Sequence, residues 1–398
     1  MTLSNDSSSV VGLFAGIGGI EQGLALSGHH AKLLCEIDPG ALAVLTDRMP
    51  GVDLHTDIGK IKSLPIVDIV AGGFPCQDLS QAGRTAGIGG ARSGLVDKAL
   101  HLVRRKKGGP RWLLLENVPF MLQLDRGRAM RHLTERLDEL EYKWAYRVVD
   151  ARAFGLPQRR LRVVLLASRT EDPRTVLFAD DAVPDLPGLE DAALHDCGFY
   201  WTEGLRGLGW AVDAVPTLKG GSTLGIASPP AVRRRAGHDT GMGIVTPGLA
   251  DVERLQGFDA DWTRASVEKA GTRPGHRWKL VGNAVPVPMA AWVGRRLKDP
   301  GEYDGRHDRG LQPGDAWPTA AWGSGGVAYR ADVSTWPVSQ SYRHLEEYLS
   351  DPKPLSARAT AGFLQRAESG NLRFVDGFLD DVHEHLDLMR QQERLRAA

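Results

Sequence analysis

One cysteine in this chain sits where a nucleophile would be useful. The stretch Gly73-Phe74-Pro75-Cys76-Gln77 follows an apolar run, Val67-Asp68-Ile69-Val70-Ala71, that predicts a buried parallel strand. Ligands and chemistry in open α/β sheets gather beyond the carboxyl ends of the strands. Pro75 fixes its own φ and pushes Phe74 toward an extended conformation, which stiffens the approach to Cys76. A lone cysteine is most often a small buried hydrophobe. The flanking Gly, Pro, Gln77 and Ser80 argue against an apolar niche, so covalent chemistry is expected at Cys76. A second strand, Trp112-Leu113-Leu114-Leu115, ends in Glu116-Asn117-Val118-Pro119. A carboxyl there faces the same side of the sheet, and burial would raise its pKa until it donates a proton near neutrality. Third, Gln158-Arg159-Arg160-Leu161-Arg162 leads into the strand Val163-Val164-Leu165-Leu166-Ala167. Alternation puts Arg160 and Arg162 on one face, as a clamp for an anion or a base, or as a solvated edge.

The elements that must position these groups begin with a strand, Val10 to Phe14, and the glycine turn Ala15-Gly16-Ile17-Gly18-Gly19. A helix follows from about Ile20, with Glu21 in its first turn. Such a turn admits close approach of a ligand, and the helix start offers free N–H groups. Roughly twenty residues on, the run Ala31–Cys35 ends in Glu36, at the tip of a second strand, where such folds hold a ribose diol. An ordinary surface or capping acid is the alternative. Asp38-Pro39 opens a helix to about Arg48, and Asp57-Ile58 is placed to meet the far end of the same ligand. Residues 83–94 are glycine-rich and polar and include Arg84 and Arg92, which suits a mobile lid.

Composition narrows the classes. The chain has 398 residues, long enough for two domains and an appendage. Its 49 Lys+Arg balance 49 Asp+Glu, so net charge lends no support to a nucleic-acid ligand, although a basic cleft can sit on a neutral protein. Three separated cysteines give neither a disulfide framework nor a zinc cluster, and no metal is expected. Cys35 and Cys197 read as structural. The start lacks a signal-peptide layout and no apolar run reaches membrane length, so a reducing cytoplasmic setting is expected.

Taken in order, Phe14-Ala15-Gly16-Ile17-Gly18-Gly19, Gly73-Phe74-Pro75-Cys76-Gln77, Glu116-Asn117-Val118, Gln158-Arg159-Arg160-Leu161-Arg162, Arg254-Leu255-Gln256-Gly257-Phe258 and Gly282-Asn283-Ala284-Val285-Pro286 resemble the DNA (cytosine-5)-methyltransferases of prokaryotic type over about residues 10–297. One departure is Gly12, where many members carry an acid. The resemblance implies an α/β fold: a Rossmann-like S-adenosylmethionine-dependent methyltransferase sheet, a small irregular target-recognition domain and a C-terminal extension. It implies that Cys76 adds to carbon 6 of a flipped cytosine and that carbon 5 then takes the methyl group. Glu116 would meet ring N3, and Arg162 with Arg160 would hold the base. Only about 3% of an ordinary thiol is ionised at pH 7, so the surroundings must raise that fraction. The base that removes the C5 proton is left open between water and a side chain. Around S-adenosylmethionine the resemblance places Phe14, Gly16, Gly18, Glu36, Asp57, Ile58, Pro75, Asn283 and Ala284.

The expected boundaries are 1–168 for the catalytic and cofactor-binding domain, 169–250 for target recognition, 251–298 for the return to the catalytic domain, and 299–398 for an extension of unassigned role. Double-stranded DNA is the expected partner, met by Gln77, Ser80, Arg84, Arg92, Gln158, Lys219 and Arg233. For the Arg233-Arg234-Arg235 triplet a solvated basic turn is the alternative. A separately encoded restriction endonuclease and a monomeric state are further expectations. Phe374, Phe378, Val382, Leu386 and Met389 fall at helical spacing, so the tail must pack on something. His383 and His385 read as a solvated helix face. Two other readings stand beside the first. One is a transfer-RNA enzyme, whose Cys-Phe-Thr marker is missing here, since the chain reads Cys197-Gly198-Phe199. The other is an inactive DNA-binding relative, which would not need Cys76, Glu116, Arg160 and Arg162.

Overall fold

The computed structural model describes residues 7–74, 94–105, 109–220, 228–235 and 243–397. The chain builds a parallel set of strands first. These are β1 (Ser9–Leu13), β2 (His30–Cys35), β3 (Asp53–His55), β4 (Ile69–Gly73) and β5 (Trp112–Asn117), hydrogen-bonded in the order β3-β2-β1-β4-β5. Every residue of β1 and β5 is buried, as the continuous apolar runs require of strands covered on both faces. Val11 and Leu13 enter the core on one face while Val10 enters it on the other. Helix α1 (Gly19–Leu26) follows β1, and α2 (Pro39–Arg48) follows β2. Asp38 caps α2 by accepting from Gly40 N and Ala41 N, with Pro39 in the first turn as expected.

Beyond β5 the sheet turns antiparallel. β6 (Lys143–Asp150) pairs with β8 (Leu161–Ser168), and β8 pairs with β5; the short β7 (Gln158–Arg159) lies between them in sequence. The helix Val287–Lys298 returns from late in the chain to lie on α1. A Cβ on Gly23 would fall 2.5 Å from Ala290 Cβ, so glycine is what allows this crossing. Ser27 Oγ donates to Ala291 O at 2.8 Å, and His29 Nε2 meets Gly294 O at 2.9 Å.

A second sheet consists of short antiparallel strands, as the Gly- and Pro-rich middle of the sequence predicts. β9 (Cys197–Phe199), β10 (Ala211–Val212), β12 (Ala231–Arg233) and β13 (Ile244–Thr246) belong to it, while β11 (Val215–Pro216) pairs separately with β7. Residues 299–398 are structural parts of both sheets. β14 (Arg309–Gly310), β15 (Ala320–Ser324) and β16 (Val327–Arg330) extend the large sheet from β6, the Gly325-Gly326 turn closing the β15–β16 hairpin with both φ values positive. β17 (Lys353–Pro354) adds to β13. The helices Ala357–Ser369 and Phe378–Ala397 then bury Phe363, Phe378, Val382, Leu386 and Met389 against Phe199, Ala231 and Ile244.

His385 departs from the expected solvated face: it is buried, with Nε2 at 2.8 Å from Leu355 O, whereas His383 is exposed beside Glu368. Cys35 and Cys197 are buried and unbridged, and burial pushes their thiols up to about 11 and about 12, as suits structural residues. No helix among the described residues is long and apolar enough to cross a membrane.

Phe363 is fully buried, with ring centroids 5.2 Å from Phe199 and 5.9 Å from Phe378. Phe363→Ala should therefore lower stability by about 3–5 kcal/mol in denaturant titration. A loss below about 1 kcal/mol would mean that the C-terminal helices are peripheral to the fold.

Candidate functional site

The carboxyl ends of β4 and β5 lie side by side, with Gly73 in register opposite Glu116. A Cβ on residue 73 would stand 3.0 Å from Glu116 Oε2, so the carboxyl closes on the root of the loop that carries Cys76. Asn117 Nδ2 donates to Phe74 O at 3.0 Å and ties that root to β5. Glu116 is 9% exposed and pairs with Arg162, Nε to Oε1 at 2.8 Å. Burial raises the Glu116 pKa although Arg162 and Arg160 pull it down, and burial also lowers Arg162. Pro75, Cys76, Gln77, Ser80, Arg84, Arg92 and the expected lid lie outside the described residues.

Arg160 and Arg162 do share a buried face, with Leu161 turned outward. Their partners differ. Arg160 is 1% exposed and donates to Leu218 O at 3.0 Å, Gly282 O at 3.0 Å and Ala284 O at 2.7 Å. Its two terminal nitrogens thus bind backbone carbonyls, while Nε has no partner among the described residues. Gln158, expected at DNA, is fully buried. It donates to Leu255 O and Gln256 Oε1 and accepts from Leu218 N, since β7 pairs with β11. Arg233, also expected at DNA, binds Asp381 of the C-terminal helix and Ala192 O. Arg234 pairs with Asp196 and Arg235 with Glu346, so the basic triplet faces carboxylates of its own chain. Lys219 remains about half exposed, held by Glu203 at 2.6 Å over the Tyr200 ring at 3.7 Å.

The glycine turn forms the neighbouring crevice. Phe14, Gly16 and Gly18 have φ of 57, 56 and 85°, and the turn closes through Gly18 N to Ala15 O at 2.8 Å. Gly16 N donates to Glu36 Oε2 at 2.7 Å, while Glu36 Oε1 accepts from Ile37 N and Asp38 N. Asp57 caps the short helical turn that begins with buried Ile58, just past the end of β3. From the far end of the chain, Val285 O lies 2.3 Å from where a Cβ on Gly19 would stand. This contact brings exposed Asn283 and buried Ala284 to the same edge. Among the described residues nothing lies within 4 Å of a Cβ placed on Gly16, and Ile37 beside Glu36 is 74% exposed. An acid, open space over a glycine and an apolar face fit a nucleoside-bearing cofactor.

Three residues stood in or beside the motifs without a role being assigned to them. Asn117 and Gln256, whose Nε2 donates to Val281 O, act through backbone groups far away in sequence, which no spacing reveals. Glu21 is the third. It is 4% exposed, neither carboxyl oxygen has a partner in another described residue, and burial, with Glu36 adding to it, pushes its pKa up to about 7. The departure at Gly12 was its one signal, since a Cβ there would sit 2.1 Å from Glu21 Oε1.

The sequence profile described as C-5 cytosine-specific DNA methylase matches residues 8–191. The type II methyltransferase M2.BsuMI of Bacillus subtilis (strain 168) is 50% identical over 391 residues, covering 96% of this chain and 99% of the relative. The type II methyltransferase M.BsuFI of Bacillus subtilis is 37% identical over 306 residues, 73% of this chain and 72% of that one. Among solved structures, the S. pombe Dnmt2 methyltransferase superposes with a TM-score of 0.55 at 16% identity over 73% of this chain and 98% of its own, a likeness of fold.

A carboxyl raised from 4.5 to about 7 on folding keeps its proton while the unfolded chain loses it. Below pH 4.5 both states are protonated and nothing is lost; between 4.5 and 7 stability falls, by about 3 kcal/mol in all. Glu21→Gln should remove this fall, so the variant should gain on the parent between pH 5 and pH 8 in parallel denaturant titrations. A constant difference across that range would refute the raised carboxyl.

Proposed function

The chain belongs to the C-5 cytosine-specific DNA methylases and is a DNA (cytosine-5) methyltransferase; from that premise we propose how its own residues carry the reaction. The observation that carries the proposal is the buried Glu116–Arg162 pair opposite Gly73, at the root of the Cys76 loop. Carbon 5 of cytosine is a weak nucleophile. The Cys76 thiolate adds to carbon 6, and the Glu116 carboxyl gives its proton to ring N3, so that the electron pair reaches carbon 5 as an enamine. S-adenosylmethionine, when bound, supplies an electrophilic methyl group. Loss of the C5 proton, expulsion of Cys76 as thiolate and return of the N3 proton to the Glu116 carboxylate then leave 5-methylcytosine. A base stacked in duplex DNA cannot reach this site, so the target cytosine is flipped out.

Arg162 orients Glu116 and is the arginine placed to meet the base. Arg160 is a positioning residue, because its terminal nitrogens bind Leu218, Gly282 and Ala284 carbonyls. Phe14, Gly16, Gly18, Glu36, Asp57, Ile58, Asn283 and Ala284 would hold the cofactor, with Glu36 at the ribose. The second sheet, with Lys219 at its edge, is assigned to sequence recognition. The relatives' type II designation supports pairing with a separately encoded endonuclease.

Mixed-sequence duplex DNA and tritiated S-adenosylmethionine test this reading. The parent should place label in 5-methylcytosine and Cys76→Ser should place none. Equal label from the serine variant would sink the covalent role. Glu116→Gln should slow transfer roughly 10²–10³-fold. The parent's rate should rise with pH as the thiol ionises and fall as pH passes the raised Glu116 pKa, because the acid must keep its proton. The glutamine variant should lose that alkaline limb.

A further inference from the structure

Gly12 leaves the end of β1 without an acid, and the structure fills the vacated volume from another element. Glu21, in the first turn of α1, reaches back to β1, where a Cβ on residue 12 would stand 2.1 Å from its Oε1 and 2.8 Å from Leu34 Cδ2. An acid on the strand and Glu21 in this position exclude one another. The carboxyl is nine-tenths buried and no other described residue donates to it. What packs on α1 is apolar: Val285, Met289 and Ala290 join Ile20 and Leu24 in one cluster. The one other charged group acting on it is Glu36, of like sign. Two acids therefore stand at the glycine turn with no cation between them among the described residues. Burying an unpaired carboxylate is costly unless a positive charge answers it.

We propose that Glu21 is the anion of the cofactor site, answering the net positive charge of S-adenosylmethionine and releasing the demethylated product, which has lost the sulfonium charge. The inference rests on the methyltransferase reading above. In the cofactor-free chain the carboxyl carries its proton over much of the neutral range. Binding the cation favours the ionised form, and the proton passes to solvent. After methyl transfer the thioether is neutral at sulfur, so the attraction weakens when release is needed. Low dielectric strengthens this discrimination, because a charge acts over several ångströms where water is excluded.

Calorimetric titration of the full chain with S-adenosylmethionine, S-adenosylhomocysteine and 5′-methylthioadenosine tests the assignment. Glu21→Gln, which keeps the shape of the protonated acid, should melt like the parent at pH 5. It should bind S-adenosylmethionine about tenfold more weakly or worse, the equivalent of one pKa unit of differential interaction, and S-adenosylhomocysteine nearly as the parent does. Methylthioadenosine, which has neither sulfonium nor amino-acid part, should bind both proteins alike. Near pH 7, buffers of different ionisation enthalpy should report proton release from the parent on binding S-adenosylmethionine, and much less from the variant. Gly12→Asp combined with Glu21→Ala returns an acid to the strand and should recover part of the lost affinity. Equal binding of S-adenosylmethionine by parent and Glu21→Gln would overturn the proposal, as would an equal loss for all three ligands, which marks a scaffold role. A parent that binds none of the three would overturn the methyltransferase reading and this inference together.

Discussion

A full positive charge at Arg160 is buried where almost no water reaches it, and it is tolerated because backbone carbonyls receive its N–H groups. Those carbonyls belong to Leu218, just past β11, and to Gly282 and Ala284, at the end of the helix Pro274–Asn283. One guanidinium thereby fixes two distant segments against the end of the large sheet. Gln158 and Gln256 continue the seam with hydrogen bonds to Leu255 O and Val281 O. Gly282 completes it, since a Cβ there would press within 2.6 Å of Lys219 O. Asn283 and Ala284 can face the glycine turn only because this seam holds their backbone. Breaking it would disturb the cofactor crevice and the attachment of the second sheet together.

The same exclusion of water sets the acid chemistry. At Glu116 the 2.8 Å contact with Arg162 favours the carboxylate, while burial favours the neutral acid, and burial prevails. A carboxyl whose pKa is raised by burial gives up its proton closer to neutrality than an ordinary one does. Glu21, in the first turn of α1, shows the same physics without a cation, and its pKa climbs to about 7.

The C-terminal hundred residues show how architecture can outrun motif reading. Their apolar spacing announced a helix that needed a partner, and Phe378, Val382, Leu386 and Met389 do face inward. The partner could not be read, because Phe199, Ala231 and Ile244 are remote in sequence and become one surface only after β9, β12 and β13 pair. Arg233 was misleading for the same reason. A basic triplet on a loop looks like a phosphate contact until Asp381, Asp196 and Glu346 are brought to it.

Local rules decided what depended on near neighbours. Asp38-Pro39 started its helix, the run before Gly73 became a buried strand, alternation put Arg160 and Arg162 on one face, and Glu36 reached the glycine turn one strand away. Each of these depends on dihedral preference, side-chain period or strand adjacency, which a sequence carries directly. Tertiary structure alone decided which buried polar groups found partners. Gln158 and Arg160 look like surface ligands until residues about sixty to one hundred and twenty-five positions away present their carbonyls. Glu21 looks like an ordinary first-turn acid until Gly12 on the adjacent strand makes room for it. Hydrogen-bond satisfaction and desolvation depend on every atom within a few ångströms, and which atoms those are is settled by folding rather than by position along the chain.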